Sequence, residues 1–106
     1  MSELEEISRK LQEFADARNW QQFHTPKNLA MAIAGEAGEL VAEFQWLTSE
    51  QSELENLSAK ALEAIRLEMA DVFIYLIRLS TQLDIDLAQA ARDKIALNED
   101  RFGRSS

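Results

Sequence analysis

The chain of 106 residues contains one proline and three glycines, so very little in it interrupts a helix. Pro and Gly disfavour helix interiors most strongly, whereas Ala, Leu, Glu and Gln, which are abundant here, favour them. The sequence therefore predicts an all-α fold. Its length is that of one domain, and we take residues 1–106 as a single domain.

Helix start signals and apolar spacing divide the chain into four helices. Capping patterns at Ser2 and Asp86, and the Thr25–Pro26 pair, mark three of the starts. The predicted helices begin at Ser2, run from about Pro26 to Leu47, run from near Ser58 to about Leu83, and run from Asp86 to about Phe102, where Gly103 stops the last one. Short connections favour an antiparallel four-helix bundle. The third helix is apolar on nearly every side, which predicts that a second chain covers part of it.

Charge and composition exclude several classes of protein. The net charge of −8 disfavours binding to nucleic acid or to an anionic membrane, because both need a positive field. The chain has no cysteine and only one histidine, so thiolate sites and histidine cages within one chain are excluded. No apolar run is long enough to span a bilayer, and no signal peptide pattern begins the chain, so we expect a cytoplasmic protein.

Two pairs of carboxylates carry the strongest chemical signal. Glu36 and Glu39 are three residues apart on the second helix, and Glu68 and Asp71 are three apart on the third. Such spacing puts each pair on one helix face, and both pairs border the apolar stripe of their helix. One pair alone usually marks a solvated face. Two facing pairs repel each other unless cations lie between them, and carboxylate-only coordination favours Mg²⁺ or Mn²⁺.

Glu43 extends the first carboxylate row by one turn, and we expect it to be more exposed. A competing metal site, the di-iron or di-manganese bundle, requires a histidine three residues after a glutamate on two helices. Neither acidic pair includes histidine. A phosphate-binding glycine loop is also absent from the sequence, so any phosphate must be bound through metal and cationic side chains.

The order of these motifs resembles the MazG-like nucleoside triphosphate pyrophosphohydrolases, an all-α superfamily. Beyond the acidic pairs, the segments around Arg18–Leu29, Phe44–Trp46 and Asp71–Leu76 look closest to its dCTP pyrophosphatase branch. The resemblance implies Mg²⁺-dependent hydrolysis of a nucleoside triphosphate, dCTP or modified dCTP, to the monophosphate and pyrophosphate in nucleotide-pool cleansing. It also implies metal ligands, which are Glu36, Glu39, Glu68 and Asp71. One of the first two is our candidate for the catalytic base.

Cationic and amide side chains near the carboxyl terminus are candidate phosphate contacts. Lys94, Asn98 and Arg101 lie on one face of the fourth helix, and related enzymes carry a similar Lys-x-x-x-Asn pattern there. Lys27, at the start of the second helix, is a further candidate. The alternative for all four is an ordinary solvated surface.

Aromatic side chains are candidates to hold the nucleobase, because rings stack on bases. They are Trp20, His24, Trp46 and Tyr75. In a small bundle the alternative for large aromatics is simple core packing. One position departs from the resemblance: Leu11 stands where the vertebrate dCTP enzymes carry a histidine, which weakens the case for strict cytosine selectivity.

The over-apolar third helix predicts a homo-oligomer. The family resemblance implies a dimer as the minimum and, for the dCTP branch, a tetramer built as a dimer of dimers. Two other functions stay open. One is a helical interaction module without catalysis, which would release no pyrophosphate. The other is a different pyrophosphohydrolase of the superfamily, of the dUTP or phosphoribosyl-ATP type, which a panel of nucleotides would distinguish.

Overall fold

A computed structural model describes residues 2–103 of the predicted domain, so Met1 and residues 104–106 lie outside the described part. Four α-helices make up most of it and no strand occurs within residues 2–103, which confirms the all-α prediction. The helices are α1 (Glu3–Ala17), α2 (Pro26–Ala42), α3 (Ala59–Gln82) and α4 (Leu87–Asn98). Short 3₁₀ turns lie at Trp20–Gln22 and Leu54–Asn56, and a π-helical turn at Glu99–Gly103 follows α4.

A side-chain oxygen caps the amino terminus of every α-helix. Ser2, Thr25, Ser58 and Asp86 each accept a hydrogen bond from the backbone N–H three residues later, at 3.0–3.2 Å. These bonds satisfy N–H groups that have no partner within the helix. The predicted helix starts are therefore confirmed.

The predicted end of the second helix at Leu47 is wrong, because α2 ends at Ala42. Turn hydrogen bonds from Glu43, Phe44 and Leu47 to the residues three before them replace the helical pattern. A new cap follows at once: the Thr48 N–H donates to Gln51 Oε1 at 2.9 Å, and the Gln51 N–H donates to Thr48 Oγ1 at 3.1 Å. This reciprocal pair is a capping box that starts the next turns.

Helices α2 and α3 form the main packed pair, and α1 lies against the carboxyl-terminal half of α3. Both neighbours run antiparallel to α3. On α1, Ser8 bonds Thr81 at 3.0 Å whereas Gln12 bonds Arg78, one turn earlier on α3. On α2, the strongest charge acting on Glu36 is that of Asp71, whereas the later Glu39 and Glu43 act on Glu68, one turn earlier on α3. The small buried core of the described residues is Ala15, Leu29, Ile65 and Ile77 together with Arg78.

Helix α4 buries none of its residues. The radius of gyration is 16.9 Å, against about 13 Å for a compact chain of this length. The accessible surface is 8196 Å², compared with roughly 6000 Å² for a compact chain of this mass. The excess surface includes large apolar side chains such as Met69, Phe73 and Ile95. Within residues 2–103, no helix has the length and apolarity to cross a membrane.

Candidate metal centre and nucleotide pocket

Three carboxylates from α2 and α3 meet between the two helices. Glu36, Glu68 and Asp71 are half-buried, and one oxygen of each lies within 4.8 Å of the others. The antiparallel packing explains the meeting, because it sets the middle of α2 beside the turn of α3 that carries both acids. From spacing and the bordering apolar stripes, the sequence predicted that Glu36, Glu39, Glu68 and Asp71 all point to this place, and the structure brings three of the four together.

The three acids repel one another. Partial burial and then the charges of Asp71, Glu68 and Glu39 raise the pKa of Glu36, and a hydrogen bond to Asp71 adds to the shift. Burial, followed by the charges of Asp71, Glu39 and Glu43, raises the pKa of Glu68. Both carboxyls therefore hold their protons more tightly than an ordinary glutamate.

A divalent cation fits this arrangement. Glu68 Oε2 is buried and has no hydrogen-bond partner, which is costly for a carboxylate oxygen unless a ligand satisfies it. The donor set consists only of carboxylate oxygens, which suit hard cations. Glu39 and Glu43 are exposed and lie outside the group of three, although their charges act on it. The place of Glu39 among the ligands stays a prediction.

Three of the four predicted base-binding residues lie together beside α3. The rings of Trp20 and His24 have centroids 5.5 Å apart, and those of His24 and Tyr75 are 6.4 Å apart. Leu11 lines the same cavity, which has a volume of about 60 Å³. The loop before α2 carries Trp20 and His24 to Tyr75 of α3, because Asn19, in the left-handed region at φ 54°, turns the chain back into a 3₁₀ turn.

Trp46 is not among these rings. It lies in the turns after α2 with 87% of its surface exposed, and it takes part in none of the ring contacts found among residues 2–103. An indole this exposed has no packing role within a single chain. Its role in base binding stays a prediction.

The predicted phosphate contacts are all on the surface of the single chain. Lys27 is exposed in the first turn of α2, and Lys94 and Asn98 are exposed on α4. Arg101 lies in the π-helical turn, with its guanidinium carbon 5.1 Å from the ring centre of Phe102. The first turns of α4, at Leu87–Arg92, line cavities with other helices, and Lys94 and Asn98 lie beyond these turns. The phosphate role of the four residues therefore stays a prediction.

The sequence reasoning missed Arg78, the one charged side chain that is fully buried among the described residues, at 2% exposure. Its Nη1 donates to Gln12 Oε1 at 2.8 Å. Burial lowers the pKa of Arg78, and the nearby charge of Asp16 opposes the shift. The signal was available, because an arginine in the apolar run Tyr75–Leu79 needs a partner just as Asp71 does.

One face of α3 joins these features. Glu68, Asp71, Tyr75 and Arg78 follow one another at spacings of three, four and three, which places them on a single stripe of the helix. The stripe leads from the acidic group through the aromatic cluster to the buried guanidinium. It spans about 15 Å at the helical rise of 1.5 Å per residue.

Comparison with known proteins gives the family. No family model matches the sequence. A solved structure of a pyrophosphatase from Archaeoglobus fulgidus superposes with a TM-score of 0.88 at 38% identity, covering 96% of this chain and 94% of that one. The chain belongs to the MazG-like pyrophosphatase family.

Curated relatives agree with this membership. The MazG-like chain is 40% identical over 99 residues to dCTP pyrophosphatase 1 of Homo sapiens and to that of Bos taurus. The match covers 93% of this chain but only 58% and 59% of the two relatives. The predicted family is confirmed, and the four-helix architecture is shared with the archaeal structure.

Proposed function

We propose that this MazG-like protein hydrolyses deoxynucleoside triphosphates, with dCTP or modified dCTP preferred, to the monophosphate and pyrophosphate. The observation that carries the proposal is the convergence of Glu36, Glu68 and Asp71, because it offers a cation site at the meeting of two helices. The names of the curated relatives support dCTP as the substrate, and that of the archaeal neighbour supports pyrophosphate chemistry.

The carboxylates of the acidic group have two roles in the proposed reaction, cation binding and proton transfer. Glu36, Glu68 and Asp71, with Glu39 beside them, would hold the cation, for which we propose Mg²⁺ with Mn²⁺ as a substitute. A bound divalent cation supplies charge neutralisation for the triphosphate and acidifies water. Glu39 is exposed at the edge of the group and Glu36 is within it, and either carboxylate can take the proton of the attacking water.

Assembly is part of the proposal. We propose a homotetramer built as a dimer of dimers, in which a neighbouring subunit brings cationic and amide side chains to the triphosphate. The candidates are Lys27, Lys94, Asn98 and Arg101. The exposed apolar surface and the unburied α4 support this arrangement. We propose the cytoplasm as its location, where nucleoside triphosphates are abundant.

A pyrophosphate-release assay across the four canonical and several 5-substituted dNTPs, with and without Mg²⁺, tests the proposal. Asp71→Asn should lower kcat/KM for the preferred substrate on the order of 100-fold or more, because it removes one of the converging charges. Asp93→Asn is the matched control: Asp93 is exposed on α4 and accepts a hydrogen bond from Gln89 that an asparagine can also accept.

The outcomes separate the alternatives. Release of no pyrophosphate from any triphosphate would favour a helical interaction module. Preference for dUTP or phosphoribosyl-ATP would place the protein in another branch of the superfamily. Equal activity of Asp71→Asn and the wild type would remove Asp71 from the site.

A further inference from the structure

The guanidinium of Arg78 has two buried donors without a partner. Its Nη1 bonds Gln12, but Nε and Nη2 are both buried and unsatisfied. A buried donor without a partner carries a substantial free-energy cost, so native structures rarely retain one unless a ligand or water satisfies it. Arg78 also lines the 60 Å³ cavity beside the aromatic cluster.

The two free donors are the pair that arginine uses for bidentate recognition. Nε–H and the neighbouring Nη2–H point the same way and bind two adjacent acceptors at once. Arg66, on the same helix, shows this geometry with Glu63, whose two oxygens accept from Nε at 2.9 Å and from Nη2 at 2.8 Å. We call this pair of donors, Nε–H and Nη2–H, the fork of the arginine. The fork of Arg78 has no partner, and it requires two adjacent acceptors.

The carboxylates near Arg78 do not fill this fork. Asp16 faces Arg78 from α1, but its Oδ1 accepts from the amides of Gln12 and Gln21. Gln12 in turn holds Nη1. The Gln12–Asp16 pair thus orients the guanidinium through Nη1 and leaves Nε and Nη2 without a partner. Groups that position a ligand contact are expected to do this.

His24 adds an acceptor to the same cavity. Its Nδ1 is buried and has no partner. Burial and then the charge of Arg78 lower the pKa of His24, so the ring stays neutral and one of its nitrogens can accept. The cavity therefore offers two donors from one arginine and one acceptor from a histidine, all without partners.

We propose that Arg78 is a specificity-determining residue that reads cytosine through O2 and N3, the two adjacent acceptors on the pairing edge of that base. This inference rests on the proposed function and names the group that selects its substrate. Uracil and thymine carry a hydrogen on N3, so they would set a donor against the donors of the fork. In the tautomer with its proton on Nε2, His24 accepts at Nδ1 from the exocyclic amino group that cytosine has and uracil lacks.

The size of the cavity and its place on α3 select the single-ring base. Guanine also offers two adjacent acceptors, O6 and N7, so the two donors of Arg78 alone do not distinguish it from cytosine. A cavity of about 60 Å³ accepts the edge of one ring, which favours the smaller base. The plane of that base then lies toward Tyr75 and the partly exposed Trp20. Arg78 is seven residues beyond Asp71, or about 10 Å along the helix, which matches a nucleotide whose phosphates are at the acidic group.

The first test changes the substrate and leaves the protein intact. We would measure kcat/KM of the wild type, with Mg²⁺, for dCTP, dUTP, dGTP and 3-deaza-dCTP, in which a C–H replaces N3. A lost bidentate base contact should cost roughly 10- to 100-fold in kcat/KM for 3-deaza-dCTP and for dUTP. Equal turnover of dCTP and 3-deaza-dCTP, or of dCTP and dGTP, would overturn the inference while leaving the proposed function standing. No turnover of any triphosphate would remove both.

The second test changes the protein. Arg78→Lys keeps the charge and a donor for Gln12 but loses the fork, so it should reduce the dCTP preference over 3-deaza-dCTP to within about threefold. Arg9→Lys, the same exchange at an exposed arginine of α1, is the control and should keep the wild-type ratio. If the free donors of Arg78 only bind a water molecule and do not contact the base, Arg78→Lys should leave the ratio of kcat/KM for dCTP to that for 3-deaza-dCTP unchanged. That result would overturn the inference. Should Arg78→Lys fail to fold, the substrate comparison decides alone.

Discussion

At the scale of single residues, the carboxylates of the acidic group repel one another. This repulsion predicts how a bound metal ion changes the free energy of unfolding. Glu68 has a raised pKa and a buried oxygen without a partner. Glu68→Gln should therefore raise the Tm of the metal-free protein and abolish its stabilisation by Mg²⁺. In the wild type, Mg²⁺ at 100 times its Kd should add about 2.7 kcal/mol to the free energy of unfolding.

Differential scanning calorimetry with EDTA and with Mg²⁺ measures both effects of this change. Glu55→Gln is the control, because Glu55 is exposed in the turn before α3 and lies outside the acidic group. A Glu68→Gln protein that Mg²⁺ stabilises as strongly as the wild type would exclude Glu68 as a ligand.

His24 gives a second prediction at this scale, for pH. Its pKa is lowered from 6.5, first by burial and then by the charge of Arg78. The unfolded chain thus binds the proton more readily than the folded one, and the folded protein loses stability as the pH falls below 6.5. We expect His24→Asn to lose less stability than the wild type between pH 7 and the folded pKa.

As the only histidine of the chain, His24 has a single imidazole signal that NMR can follow. Its titration midpoint should lie below 6.5. A midpoint at or above that value would contradict the burial of a neutral ring in this cavity.

The residue scale also shows what spacing can and cannot predict. Glu36, Glu68 and Asp71 were found because pairs three residues apart must share a helix face, and the faces border apolar stripes. The apolar run around Arg78 signals that this arginine needs a partner, but the sequence does not say which one. Its partner Gln12 lies on α1, and the cavity beside it is lined by α1, α3 and the loop before α2, so only the packing of these elements reveals them. The roles of Trp46 and Lys94 stay predictions, because both residues are exposed on the single chain.

At the scale of elements, the helix starts followed from capping chemistry, but the end of α2 did not. A cap is a local pattern that the sequence displays. Apolar spacing from Phe44 to Leu47 continues the helical period, so it concealed the turns that follow Ala42. The Thr48–Gln51 capping box marks where the next turns start, and it does not show that α2 has already ended at Ala42.

The cap of α3 allows a prediction about this element. Ser58 Oγ accepts from the Ala61 N–H at 3.1 Å, so Ser58→Ala should lower the free energy of unfolding by about 1 kcal/mol. Urea denaturation at fixed protein concentration measures the change. Ser58→Asp, which keeps an acceptor at the cap, should retain most of the stability; an equal loss in both variants would show that the cap does not stabilise α3.

At the scale of the whole molecule, the fold class was predictable but the compactness was not. The four helices predicted an antiparallel bundle, and the single chain has a radius of gyration of 16.9 Å and an α4 without buried residues. This lack of compactness follows from the same feature that predicted an oligomer. Helix α3 is apolar on more faces than one chain can cover, so the chain leaves a groove lined by Leu40, Met69, Phe73 and Leu76.

This groove gives the prediction that tests assembly. Met69 is more than half exposed, so a charge there can be hydrated in a free chain but not in an interface. Met69→Lys should shift the mass in light scattering from that of an oligomer towards the 12.1 kDa of one chain. Ser49→Lys, which adds the same charge to an exposed loop, should keep the wild-type mass.

Because we propose that a neighbour supplies phosphate contacts, pyrophosphate release should fall together with the mass. An unchanged oligomer in Met69→Lys would show that the groove is not the interface, and a fully active monomer would show that one chain holds the whole site.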